Sequence, residues 1–223
     1  MISFCKKWLR FILFCLGMRI LVVAAMPHEL KAIKNWIKSA WIKENLDIDY
    51  LCCWIWNYEA ISSLEHYLTE SKVPIFIWNI WICGYWNPKN VKKSDPIQVA
   101  AVVNMHTQKE MVVPPFLCIA PLKNCFCGES IVCIKPESRG EIWAFDDEMY
   151  FDMESRWIEF ISSKDKCPCL ILKVPFEFSW DGCLPDKWNF KEIACEVSEL
   201  LFDLPYDNFL KVILDWIKNH ENI

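Results

Sequence analysis

Glycine is scarce in this chain, with five in 223 residues, where ordinary usage of about 7% would give roughly fifteen. Histidine is also rare: His28, His66, His106 and His220 are scattered, and none sits close to another in sequence. That spread argues against a zinc site, as do the pairs Cys125/Cys127 and Cys167/Cys169, which are spaced C-x-C rather than C-x-x-C. A Lys/Arg-rich stripe with interleaved aromatics is missing and the net charge is -5, so nucleic acid is a poor partner for this surface. The opening MISFCKKWLRFILFCLG mimics a secretory signal. Its apolar run, bracketed by Arg10 and Arg19, is nonetheless far shorter than a membrane span of about 20 residues. A complete strand-like segment follows, beginning at its own methionine. We therefore read residues 1–17 as an upstream extension or non-native start and 18–223 as the domain, with a short membrane anchor as the alternative.

What is present is material for a core. The chain is 54% hydrophobic and 24% charged, which excludes the signature of disorder, and its length suits one α/β domain. Many of its thirteen cysteines sit in apolar runs such as Leu51-Cys52-Cys53 and Cys118-Ile119-Ala120. They read as small buried hydrophobes in a reducing, cytoplasmic setting rather than as a disulfide framework. Thirteen tryptophans invert the usual ratio to glycine. Trp54 and Trp56 fall in a strand-to-helix turn that wants residues tolerant of positive φ. Trp81 lies at another strand end, Trp157 early in a helix, and Trp180 in the turn-like Ser179-Trp180-Asp181-Gly182.

Strand and helix signals alternate along the chain, which predicts an α/β layer architecture. Strands are expected at 18–25, 48–53, 73–80, 96–104, 130–134, 148–152 and 169–174. Helices are expected at 27–43, 58–70, 153–162, 186–201 and 206–220. Pro27 suits a first helical turn, and Leu30, Ile33 and Ile37 share one face. The apolar run at 73–80 fits a strand covered on both sides. Three acids, Glu29, Glu154 and Glu177, follow the carboxyl ends of strands, where open α/β sheets place ligands. Each alone reads more readily as a helix-start carboxylate favoured by the macrodipole. Three at equivalent ends of one sheet point to a site.

These segments resemble the purine nucleoside phosphorylase superfamily, and within it the 5′-methylthioadenosine/S-adenosylhomocysteine nucleosidases. MRILVVAAMPHEL resembles that family's first strand, whose methionine is followed three residues later by a catalytic glutamate, here Glu29. YLCCWIWNYEAI resembles a strand ending in glycine-isoleucine-glycine, with Trp54 and Trp56 in place of both glycines. NIWICGYWN resembles a second glycine loop, with Trp81 in one glycine's place and Gly84 retained, and YFDMESRWIEF resembles the segment that holds the ribose. The likeness runs from Met18 to about Gly182. It implies a single-domain, three-layer α/β/α sandwich with a mostly parallel, mixed, twisted central sheet. It also implies a purine nucleoside as the small-molecule partner, no cofactor or metal, and a homodimer as a possible assembly.

Cleaving a ribosyl–purine bond passes through an oxocarbenium-like sugar, as in glycoside hydrolysis. The leaving base must be protonated, which calls for a carboxylic acid of raised pKa. The family position implies Glu177 for that acid, with Asp181 as the fallback, since relatives carry aspartate there. Glu29 is assigned to orient the attacking water. Glu154 would accept hydrogen bonds from the ribose 2′ and 3′ hydroxyls, Met153 would pack under the sugar, and the backbone around Ile82, Cys83 and Gly84 would line the pocket. Phe126 and Phe151 are candidates for stacking on the base. Phosphate as nucleophile would need a cationic cradle, ideally Arg. Neither Met26-Pro27-His28-Glu29 nor Trp81-Ile82-Cys83-Gly84 contains one, so hydrolysis is favoured. The alternatives are a phosphorylase, if His28, Lys31 or Arg156 reaches the pocket, and a decayed nucleoside-binding relative whose loops the tryptophans block. UGA is read as Trp under some genetic codes and as Gly under others. The codons at 54, 56 and 81 are therefore predicted to be UGA in the source gene, standing for glycine, and reading UGG there would overturn that expectation.

Overall fold

The computed structural model describes residues 19–39, 47–53, 57–71, 74, 76–86, 95–105, 107–113, 117–128, 149–178 and 190–220. The expectations for residues 1–17, for a strand at 130–134, and for Trp54, Trp56, Trp180 and Asp181 lie outside them. The chain opens on β1 (Arg19–Ala24), all of it buried except Arg19. Period-2 alternation sends Ile20, Val22 and Ala24 to one side of the sheet and Leu21 and Val23 to the other. Helix α1 (Pro27–Ser39) lays Leu30, Ile33 and Ile37 against the first side. After β2 (Asp47–Cys52), α2 (Asn57–Glu70) lays Ala60, Leu64 and Leu68 against the second. β1 pairs in parallel with both β2 and β3 (Phe76–Trp86).

The remaining elements are β4 (Ile97–Asn104), β5 (Glu110–Val112), β6 (Leu122–Cys127), β7 (Met149–Asp152), α3 (Ser155–Lys164), β8 (Cys169–Phe178), α4 (Phe190–Phe202) and α5 (Tyr206–His220). Helices α4 and α5 join α1 on the first face, through Val197, Leu201, Phe209 and Ile213. Helix α3 joins α2 on the second, through Ile158 and Ile161. Helices thus cover both faces of an eight-stranded mixed sheet. Among the described residues no helix is long and apolar enough to cross a membrane.

The sheet departs from the open, twisted layer expected from sequence. Strand β3 pairs β8 in parallel along most of its length and β7 antiparallel at its far end. β7 continues through β6 to β4, and β4 returns to β8 at Ile97 and Gln98, so that β3, β7, β6, β4 and β8 close a ring. Strand length is the cause. β3 and β8 run on to Trp86 and Phe178, well past the ends predicted at 80 and 174, and a register shift at Cys83/Gly84 bends the pair. Ile82, Cys83 and Gly84 are therefore strand residues rather than a loop, and Glu177 lies within β8. The strands left at the ends of the order are β2 and β5.

Leu64 is fully buried between α2 and the sheet. Leu64→Ala is expected to cost about 2–5 kcal/mol in denaturant unfolding, whereas Val212→Ala, on an exposed position of α5, should shift stability by less than about 0.5 kcal/mol. Equal effects would mean that α2 does not pack as described.

Candidate active site

Glu29 sits in the first turn of α1, directly after β1, and its carboxylate folds back so that Oε2 accepts the Met26 N–H at 2.8 Å. This is half of a capping box, in which a glutamate three residues into a helix satisfies the backbone donor at its start. Capping explains one oxygen only. Glu29 is fully buried, and its Oε1 has no hydrogen-bond partner. Burial pushes the carboxyl up to about 7, opposed by the Met26 N–H, the Lys173 ammonium and the nearby backbone of Ile82.

Glu154 begins α3 as its N-cap residue, its carbonyl accepting the Trp157 and Ile158 amides at 2.9 and 3.1 Å. Its carboxylate Oε2 accepts the Met153 N–H at 3.2 Å. Burial, then the charge of Asp152, raises its pKa well above the ordinary range; Lys173 opposes the rise and Glu29 adds to it. The two predicted carboxylates are therefore brought close enough to feel one another.

Sequence reasoning passed over the residues between them. Asp152 ends β7, and its Oδ2 takes the Ser155 N–H at 3.1 Å, the Ser155 hydroxyl, and the Lys173 ammonium at 2.5 Å. Lys173 is fully buried in the middle of β8. Burial works against its charge, yet Asp152 and Glu154 hold its pKa above the usual lysine value. Its Nζ also lies 4.6 Å from the centroid of the Trp81 ring. A lone Lys inside Cys-Leu-Ile-Leu-Lys-Val-Pro-Phe was the available signal, because a strand covered on both faces has no solvent for it.

The other predicted residues are distributed as follows. Met153 and Ile82 are half-buried, Gly84 likewise, and Cys83 is buried with its thiol pushed up by burial. Glu177 is in register with Gly84; its side chain, like the whole of Asp181, lies outside the described residues. Phe126 and Phe151 are register partners on β6 and β7, with ring centroids 5.8 Å apart. Alternation sets them on the face opposite to Tyr150 and Asp152. Of the cations that phosphate would need, His28 and Lys31 line a cleft of about 630 Å³ between α1 and α4, and Arg156 stacks over Trp157 at 4.9 Å. Burial lowers the pKa of His28. Among the described residues no cluster of three His, Cys, Asp or Glu side chains is placed to hold a metal ion.

The same fold is found in solved structures at 12–18% sequence identity. Its solved neighbours are 5′-methylthioadenosine/S-adenosylhomocysteine nucleosidases. The Arabidopsis thaliana 5′-methylthioadenosine nucleosidase superposes with a TM-score of 0.67 at 17% identity, over 89% of this chain and 96% of that one. The Chlamydia trachomatis enzyme gives 0.63 at 18% identity, over 87% and 99%. The Campylobacter jejuni enzyme gives 0.63 at 12% identity, over 88% and 99%. No protein-family model matches this sequence, and no curated protein matches it as a relative.

The raised carboxyl of Glu29 has a consequence for stability. Folded Glu29 holds its proton up to about pH 7, while the unfolded chain releases it near 4.5. Its contribution is therefore fully present below pH 4.5 and is lost as pH rises to about 7, at about 1.4 kcal/mol per pH unit for one proton. Denaturant unfolding across that window should show Glu29→Gln reducing the slope by about one proton. An unchanged slope would place the titration elsewhere.

Proposed function

We propose that this protein is an N-ribosyl hydrolase. It would cleave the N-glycosidic bond of a purine nucleoside of the 5′-methylthioadenosine or S-adenosylhomocysteine kind to free base and sugar. The observation that carries this reading is the pair of buried carboxyls, Glu29 and Glu154, which follow β1 and β7, with Oε1 of Glu29 left without a hydrogen-bond partner. A Chlamydia trachomatis neighbour of the same fold has been solved with MTA bound.

Glu29 orients the attacking water and takes its proton. A carboxyl raised to about 7 is matched to that task at neutral pH, and its unpartnered Oε1 is the acceptor for the water. Glu154 receives the ribose 2′ and 3′ hydroxyls, whose O–H groups compensate a carboxylate that burial otherwise penalises. Met153 packs beneath the sugar, and the β3 segment Ile82, Cys83 and Gly84 lines the pocket. Glu177, with Asp181 as the fallback, protonates the departing purine.

Water is favoured over phosphate on charge. Lys173 is already neutralised by Asp152, which leaves a phosphate dianion no free ammonium or guanidinium among the described residues to cradle it at these carboxyls.

In the chain carrying glycine at 54, 56 and 81, base release from 5′-methylthioadenosine should be independent of added phosphate and fall by about 10²–10⁴-fold in Glu29→Gln. Release that needs phosphate would make the protein a phosphorylase. Absence of release from any purine nucleoside would leave a binding relative.

A further inference from the structure

The four ionisable groups of the site have almost no contact with solvent: Glu29 and Lys173 are fully buried, Glu154 is 4% exposed and Asp152 7%. A reaction at these carboxyls needs room for a sugar beside them. Beside them stands Trp81, which is 3% exposed and is the register partner of Lys173 on the adjacent parallel strand. Its ring stands over the ammonium that Asp152 neutralises. Met26, Ile82, Gly84 and Met153 are partly exposed, so solvent begins within three residues of Glu29, Trp81 and Glu154, whereas β8 is buried on both sides of Lys173.

Two further observations single out this side chain. Trp78, three residues earlier, faces the opposite core, where Tyr206 and Phe209 pack edge-on to it at 6.3 and 6.5 Å. Trp81 instead turns its π face to a charge. The left-handed non-glycine residues among those described are Gln108 and Lys166, so the backbone at 81 is ordinary strand. Glycine there would change what fills the space and leave the chain path available.

We propose that the Trp81 indole sits in the substrate cavity of this chain, seated on the Lys173 ammonium, and that a purine nucleoside enters only when the indole is gone. The identity of the ligand rests on the nucleosidase reading; the existence of the cavity does not. A void left by an excised buried ring is apolar on its walls and takes up a ring of matching shape, and here its floor is a cation that favours an aromatic face.

The test uses the full chain carrying Trp81→Gly, with free indole and 5′-methylthioadenosine as probes. Indole should raise the melting temperature of the variant and leave that of the unaltered chain unmoved, and the nucleoside should displace it. Apparent nucleoside affinity should be at least about tenfold tighter in the variant, as expected when the open state of the unaltered chain is populated below about 10%. No stabilisation by indole, or indole that the nucleoside fails to displace, overturns the proposal. If the nucleoside displaces indole and neither chain releases base, the cavity stands and the hydrolase reading falls. Unaltered and variant chains that bind and cleave equally well sink the cavity and leave the hydrolase standing. Should Trp81→Gly fail to fold, Trp81→Ala removes the ring with less cost to the strand and is read by the thermal shift on adding 5′-methylthioadenosine. A shift in the variant alone supports the plug, and no difference from the unaltered chain rejects it.

Discussion

The ion pair between Lys173 and Asp152 is the interaction on which the rest of the site depends. Both side chains are withdrawn from water, and a buried charge that loses its partner costs about 3–5 kcal/mol. The pair joins β8 to β7 across β3, which lies between them in the sheet. It therefore braces the ring where three strands must keep register. Asp152 also holds the start of α3 through Ser155, so the same carboxylate that neutralises the lysine fixes the helix whose cap is Glu154. Ion pair, ring and cap form one unit.

Glu29 and Glu154 show how ordinary helix-start carboxylates come to hold their protons. An exposed carboxylate at such a position is stabilised by backbone amides and the helix dipole. Here each accepts one backbone N–H, from Met26 and Met153 respectively. Desolvation nevertheless outweighs those bonds and raises both pKa values. The local motif supplies the orientation, and depth in the sheet supplies the affinity for a proton. Lys173 tempers both without cancelling either.

Much of the framework was legible because its elements are locally consistent. The last helix begins at Tyr206 and ends at His220 as the periodicity predicts, and β1 follows its apolar run. Strand β6 was missed because Lys123 and Asn124 interrupt the alternation in Leu122–Cys127, and β5 because three residues carry no period. The extension of β3 past Ile80 was hidden by Gly84 and by tryptophans that read as turn positions. Glu29, Glu154 and Glu177 were singled out from strand ends, and Met153 by the family resemblance. The apolar run around Lys173 was a signal, but nothing local marks Asp152 as its partner, since only the closure of the ring brings the two together.

That closure also decides where the molecule is open to misassociation. The ring leaves β2 and the short β5 as the strands at the ends of the order among the described residues. β2 carries Asp47 and Asp49, clamped by Arg19 at 3.2 and 3.0 Å. A foreign strand approaching that side meets fixed charges as well as peptide groups, a recognised defence against edge-to-edge aggregation. β5 lacks such a guard: Val112 is 63% exposed, and its protection is brevity, since three residues offer too few hydrogen bonds to template a neighbour.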